Sequence, residues 1–164
     1  MYKRQFYDNS LDYPSSLASD SNGNIYVANY TNSLASIYSE QGTLLASGLG
    51  AGYTSFPLGL AVDAAHGFWL ANYGDTTITH LDANGMLLSR PQCCDGAAAV
   101  ALDSGGNAWV ANYYASSVSE VGASGALAGP ASTGGGIDQP GSVAIDGAQD
   151  VWICLLYTSP SPRD

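Results

Sequence analysis

Aspartates at positions 20, 63, 103 and 146 that each open one short motif, a fixed frame after three of them, and the lack of any window with helical periodicity predict an all-β chain. The architecture they predict is a partial β-propeller of about three and a half four-stranded antiparallel blades. Aligned on SDSNGNIYVANY, VDAAHGFWLANY, LDSGGNAWVANY and IDGAQDVWI, the residues Asp20, Asp63, Asp103 and Asp146 stand 43, 40 and 43 residues apart. Three copies keep a gapless frame of 22 residues from aspartate to a glycine (Gly42, Gly85, Gly125), and every length change falls between that glycine and the next aspartate.

Each unit reads as four short strands in order. The first is apolar and β-branched (LGLAVD, GSVAID) and the second alternates (IYVAN, AWVAN). The third follows a polar turn (ITHLD, VSEV), and a polar-Gly pair leads to the fourth (TLL, MLL). Blades pack on both faces, so strict apolar/polar alternation is blurred. The units run over about residues 13–56, 57–97, 98–139 and 140–153.

Repeated positions are read first as structure. The aspartates in DSNGN, DAAHG, DSGGN and DGAQD suit a hairpin turn in which Asp accepts backbone N–H groups and a neighbour takes positive φ. A calcium loop is disfavoured, because no acid stands at the twelfth position. The aromatics six residues on, Tyr26, Trp69, Trp109 and Trp152, read as core between blades. The pairs Asn29-Tyr30, Asn72-Tyr73 and Asn112-Tyr113 end the second strands, at the same face as the variable loops. They are the candidates for a ligand rim rich in aromatic and amide groups, open to a small molecule, glycan or protein. The competing reading is that Asn caps the turn and Tyr packs on the next blade. His66 falls in a turn at the opposite face and His80 in a third strand, neither with an acid at a spacing that suggests a base and its orienting partner.

Charge narrows the function. The chain has a net charge of -10, and between residues 6 and 153 Arg90 is the one cation against thirteen acids, which repels phosphate backbones and argues against nucleic-acid binding. No apolar run is long enough to span a membrane. Abundant Gly, Ser, Asn and Ala with almost no Lys suit an extracytoplasmic protein, periplasmic or secreted. Cys93 and Cys94 are adjacent in RPQCCDG. They can form a vicinal disulfide or pair elsewhere, and without a second Cys pair or a nearby His they make no metal set.

The pattern in PLGLAVDAAHGFWLANY and LDSGGNAWVANY, followed by SVSEVGASG, resembles the NHL-repeat propellers of bacteria and the related streptogramin-lyase-like and gluconolactonase-like propellers over residues 13–153. That resemblance implies the propeller fold and leaves function open among lyases, lactone hydrolases and binding modules. It also implies that a lactonase would hold a cation at the axis with single acidic or amide side chains, and that a lyase would place a histidine in the central funnel. The inner-strand starts at Pro57–Gly59 and Pro140–Ser142 supply no ligand of the first kind.

The frame is interrupted at its end: after Val151-Trp152-Ile153 it requires Ala-Asn-Tyr and finds Cys-Leu-Leu. The tail CLLYTSPSPRD, residues 154–164, and the head MYKRQ, residues 1–5, resemble translated sequencing-adapter scars, leaving residues 6–153 as a propeller fragment expected to be poorly stable alone. The expected function is a non-catalytic binding or scaffold module that contacts its ligand through rim loops, with no cofactor, no metal and no catalytic residue in these repeats. A propeller lyase or lactone hydrolase with its catalytic residues in other blades is the alternative.

Overall fold

The computed structural model describes residues 9–156, which hold strands and turns and no helix. Residues 1–5 and all but three residues of the tail 154–164 lie outside the described residues, while Cys154 and Leu155 complete the last strand. Blade 1 consists of β1 (Pro14–Ser19), β2 (Ile25–Asn29), β3 (Leu34–Tyr38) and β4 (Leu44–Leu49). Blade 2 consists of β5 (Pro57–Val62), β6 (Phe68–Asn72), β7 (Ile78–Leu81) and β8 (Leu87–Ser89). Blade 3 has β9 (Ala97–Leu102), β10 (Ala108–Asn112) and β11 (Ser117–Val121), and blade 4 has β12 (Pro140–Ile145) and β13 (Val151–Leu155). Every pairing is an antiparallel hairpin between neighbours in sequence. The first strands β1, β5, β9 and β12 lie side by side, so the blades are radial and the chain is a partial β-propeller.

Blade 3 departs from the four-strand expectation. Its outer segment keeps only the bridges Val118↔Ser132 and Val121↔Leu127. Gly129 and Pro130 sit between them, and a proline without an N–H next to a flexible glycine cannot sustain a ladder.

Between blades the chain is close-packed. A Cβ on Gly59 would come within 2.7 Å of the Ala99 Cα and 3.0 Å of the Val100 nitrogen, so β5 and β9 approach by backbone and only glycine fits. One core joins blades 1 and 2 through Tyr26, Ala28, Ile37, Leu60, Phe68 and Leu81, and another joins blades 2 and 3 through Trp69, Ile78, Ala97, Val110 and Val121. The repeated aromatic points toward the following blade, and this corrects the uniform core reading. Tyr26 and Trp69 are buried, Trp109 is half-buried against a two-stranded blade 4, and Trp152 is 64% exposed, because no described residues stand beyond it.

The same periodicity explains the opposite side. An apolar concavity of about 240 Å³ on blade 1 is lined by Leu17, Ile25, Val27 and Tyr38. The residues 43 positions on, Leu60, Phe68, Leu70 and Leu81, are those that blade 1 covers on blade 2. This concavity is therefore blade-packing surface.

Candidate functional site: the two ends of the blades

At the end where β1 turns into β2, the repeated aspartate builds the turn. Asp20 Oδ1 accepts the N–H groups of Asn22 and Asn24 at 2.9 and 2.8 Å, Asp63 Oδ1 those of Ala65 and Gly67 at 2.8 and 2.9 Å, and Asp103 Oδ1 those of Gly105 and Asn107, both at 2.9 Å. Asp146 does the same for Ala148 and Asp150 at 2.9 and 3.0 Å. The left-handed position is filled by Gly23, His66, Gly106 and Gln149, with φ of 81°, 65°, 79° and 70°. The sequence reading missed that Asp82, between β7 and β8, repeats the device with Asn84 and Met86 at 2.8 Å each.

The second oxygen separates the blades. In blades 1 and 3 it accepts the side-chain amide of Asn24 or Asn107, each at 2.9 Å, and faces the Tyr26 hydroxyl at 3.5 Å or the Trp109 indole at 3.3 Å. Blade 2 has Gly67 where blades 1 and 3 have asparagine, and His80 enters instead, with Nε2 2.8 Å from Asp63 Oδ2. A Cβ at Gly67 would lie 2.7 Å from that oxygen and 3.2 Å from Nε2, so the glycine makes the space. His80 stacks on Trp69 with ring centroids 4.1 Å apart and 10° between planes. Displaced from the carboxylate, the buried Trp69 indole N–H has no hydrogen-bond partner among the described residues.

His66 also finds an acid. Its Nδ1 lies 3.1 Å from Asp20 Oδ2, off the line of a hydrogen bond. The expectation that neither histidine has an acidic partner is thus corrected: both partners come from the repeated aspartates. Register was the missing signal, since His80 pairs across the ladder with Trp69 beside the turn.

These contacts fix the charge state. Burial pushes the Asp20 and Asp103 carboxyls up, but other contacts outweigh it and hold both below the usual carboxylate range: hydrogen bonds from Asn24 and Asn22 and the electrostatic influence of His66 in one case, hydrogen bonds from Asn107, Trp109 and Gly105 in the other. The aspartates here are turn-builders whose oxygens are already occupied.

At the other end, Asn29, Asn72 and Asn112 do not reach the surface. Each is fully buried at the end of its strand. Asn72 donates to the Thr77 and Thr79 hydroxyls at 2.9 Å each, and its oxygen accepts the Ser55 N–H at 3.2 Å. Asn29 donates to Ser36 at 3.2 Å and accepts the Asp12 N–H at 3.2 Å. Asn112 donates to Ser117 and Ser119 at 3.0 and 2.8 Å, but its buried oxygen has no such partner. In this blade the loop is re-routed through the disulfide-bonded Cys93 and Cys94, whose N–H groups both go to the Thr76 carbonyl at 2.9 Å. The asparagines therefore fasten the rim from inside and leave it to the tyrosines.

The tyrosines bridge blade junctions. Tyr30 packs on Phe56, which leads into β5 of blade 2, at 5.2 Å and on Tyr13 at 5.9 Å; Tyr73 packs on Tyr114 and Tyr113 of blade 3 at 5.0 and 6.0 Å. The Tyr113 hydroxyl meets the Gln139 side chain of blade 4 at 3.2 Å. Two glycines trade places around this row. In blade 2 Gly74 makes room for Phe56, whose ring a Cβ there would meet at 2.4 Å. In blade 3 Gly96 makes room for Tyr114, whose ring a Cβ would meet at 2.3 Å. An aromatic is thus kept at the first two junctions, from just before β5 in one and from just after β10 in the other. The hydroxyl of Tyr114, then burial and the neighbouring phenols, push the Tyr73 pKa up to about 12, so its ring stays neutral. Tyr13, Tyr30, Thr31, Leu58 and Tyr73 line a concavity of about 390 Å³.

Among known proteins, the family model of a β-propeller repeat matches residues 7–34. No curated protein matches the chain in sequence. Solved structures match in fold: a streptogramin B lyase (TM-score 0.76, 13% identity, 90% of this chain and 49% of that one) and the virginiamycin B lyase of Staphylococcus aureus (0.70, 10%, 85% and 48%). The hydrazine synthase of Kuenenia stuttgartiensis also matches (0.77, 10%, 94% and 45%). The chain spans about half the length of these structures, and at such identities the likeness is one of fold. Geometry and comparison agree that the chain is a β-propeller fragment.

Proposed function

We propose that the chain is a non-catalytic binding module that takes its ligand on the tyrosine-bearing face. The supporting observation is the aromatic concavity of about 390 Å³ across the junction of blades 1 and 2, within the size range of small-molecule sites. The exchange of Gly74 and Gly96, which preserves aromatic mass where the backbone could do without it, adds support. The lyase or lactone-hydrolase alternative has less: both histidines lie toward the opposite end, each beside an aspartate committed to a turn. An extracytoplasmic location is part of the proposal and is compatible with the Cys93–Cys94 disulfide.

The test is titration of the full chain with choline, a lysine-rich pentapeptide and maltotriose, alongside Tyr30→Leu and Tyr73→Leu. At least one ligand binds saturably, and either variant weakens it about tenfold, as expected for loss of a stacked ring. Ligands that bind both variants as tightly as the parent chain, or that bind none of the three proteins, would overturn the reading.

A further inference from the structure

We infer that the ligand of the tyrosine concavity is an organic cation: an ammonium or guanidinium group held against the ring faces of Tyr13, Tyr30 and Tyr73. This rests on the proposal that the tyrosine face binds, and it commits to the chemistry of what binds there.

The lining residues decide between candidate chemistries. A neutral sugar needs several convergent polar groups to fix its hydroxyls. The amides that could have served, Asn29, Asn72 and Asn112, are buried and engaged beneath the rim. The concavity is left with three phenols, Thr31 and Leu58. An anion meets no positive charge, because Arg90, the one cation among the described residues, is held by Asp75 at 2.8 Å. A cation meets the reverse. The ring faces present the negative side of their quadrupoles, and three loops reach the concavity from different strands, allowing a cation to touch more than one ring. Tyr13 and Tyr30 belong to one set of tilted ring contacts with Phe56, and Tyr73 to a second set with Tyr113 and Tyr114, so the concavity lies between two aromatic clusters.

Charge complementarity points the same way. The loops on this face carry Asp12, Asp95 and Asp138, besides Asp75, whose charge is matched by Arg90. Asp12 immediately precedes the lining residue Tyr13, and its carbonyl accepts the N–H of the lining residue Thr31 at 3.4 Å. With a net charge of -10, the whole chain attracts cations at long range. The same chemistry can arrive as a free quaternary ammonium compound or as a Lys or Arg side chain of a peptide.

The experiment compares choline with 3,3-dimethylbutanol, its uncharged isostere, on the unaltered full chain at low salt, with the lysine-rich pentapeptide and maltotriose as further arms. Choline binds about tenfold more tightly than the isostere, the order expected when the cation–π contribution is removed at constant shape. Tighter choline binding marks a free ammonium ligand and tighter peptide binding marks a side chain, and salt weakens both. Equal binding of choline and the isostere overturns the cation reading. Binding of maltotriose without either cation also overturns it, yet leaves the tyrosine face as a binding site if Tyr73→Leu abolishes that binding. If no probe binds, both the cation reading and the proposed function are lost.

Discussion

At the aspartate end of each blade the carboxylate repeats and so do its two turn hydrogen bonds; at the tyrosine end Asn-Tyr repeats in three blades while the aromatics packed on it trade places. Asp20, Asp63, Asp103 and Asp146 each close the same two N–H contacts. By contrast, the aromatic that fills a junction at the rim comes from Phe56 in one blade and Tyr114 in the next. A turn must be solved in every blade, so its solution is copied. The ligand surface we propose spans the blades together, so its pieces need not match. The difference separates what builds the propeller from what we propose it presents.

The strongest test of the building half is to remove a buried repeat position and an exposed one. Trp69→Ala should destabilise the chain by about 3–5 kcal/mol, while Trp152→Ala, at a side chain 64% exposed, should leave the urea midpoint nearly unchanged. Similar losses from both would show that the blades do not pack as described.

Blade 2 offers a finer test, because it breaks the aspartate pattern in two places at once. Gly67→Asn alone forces a side chain into the Asp63–His80 contact and destabilises. His80→Ile alone leaves Asp63 Oδ2 without its partner. Together they restore the arrangement of blade 1, where Asn24 and Ile37 occupy these positions. A double-mutant cycle should therefore show favourable coupling of about 1–3 kcal/mol. Additive losses would mean that the glycine and the histidine are unrelated.

Smaller effects appear on titration. Asp20 and Asp103 have folded pKa values below the ordinary value of about 3.9. Their stabilisation is complete above that pH and is lost as pH falls through the folded values. Melting temperature should drop below about pH 4, and Asp103→Asn should flatten that drop. Tyr73 has the opposite sense. With its phenol raised to about 12, the stability it contributes is present below about pH 10 and is lost as pH rises toward the folded value. Burial and the nearby Asp20 also raise the Tyr26 phenol, so phenolate absorbance should show more than one late-titrating tyrosine, and Tyr73→Phe should remove one of them.

Much of the building half is legible in the sequence because it is periodic. The aspartate spacing gives the unit, the alternating runs give the strands, and the turn composition gives the hairpins. The fourth strand expected in blade 3 is absent as a strand because Gly129-Pro130 overrides the periodic expectation, which composition alone did not weigh. The rim was half legible: Asn-Tyr marks the strand end, but two adjacent residues there point into different surroundings. Only the contacts of Asn72 with Thr77 and Thr79 show which one faces inward. The Asp63–His80 pair was hidden by distance along the chain, although Gly67 in place of asparagine was its visible trace.

The most direct measurement is amide chemical-shift mapping of the full chain during titration with choline, the lysine-rich pentapeptide and maltotriose. The account predicts that the responses gather at the tyrosine end, in residues 12–13, 30–33, 53–58, 73–77 and 113–116, and spare the turns at 20–24, 63–67 and 103–107. Shifts centred on Asp20, His66 and Asn84, or none at either end, would contradict it.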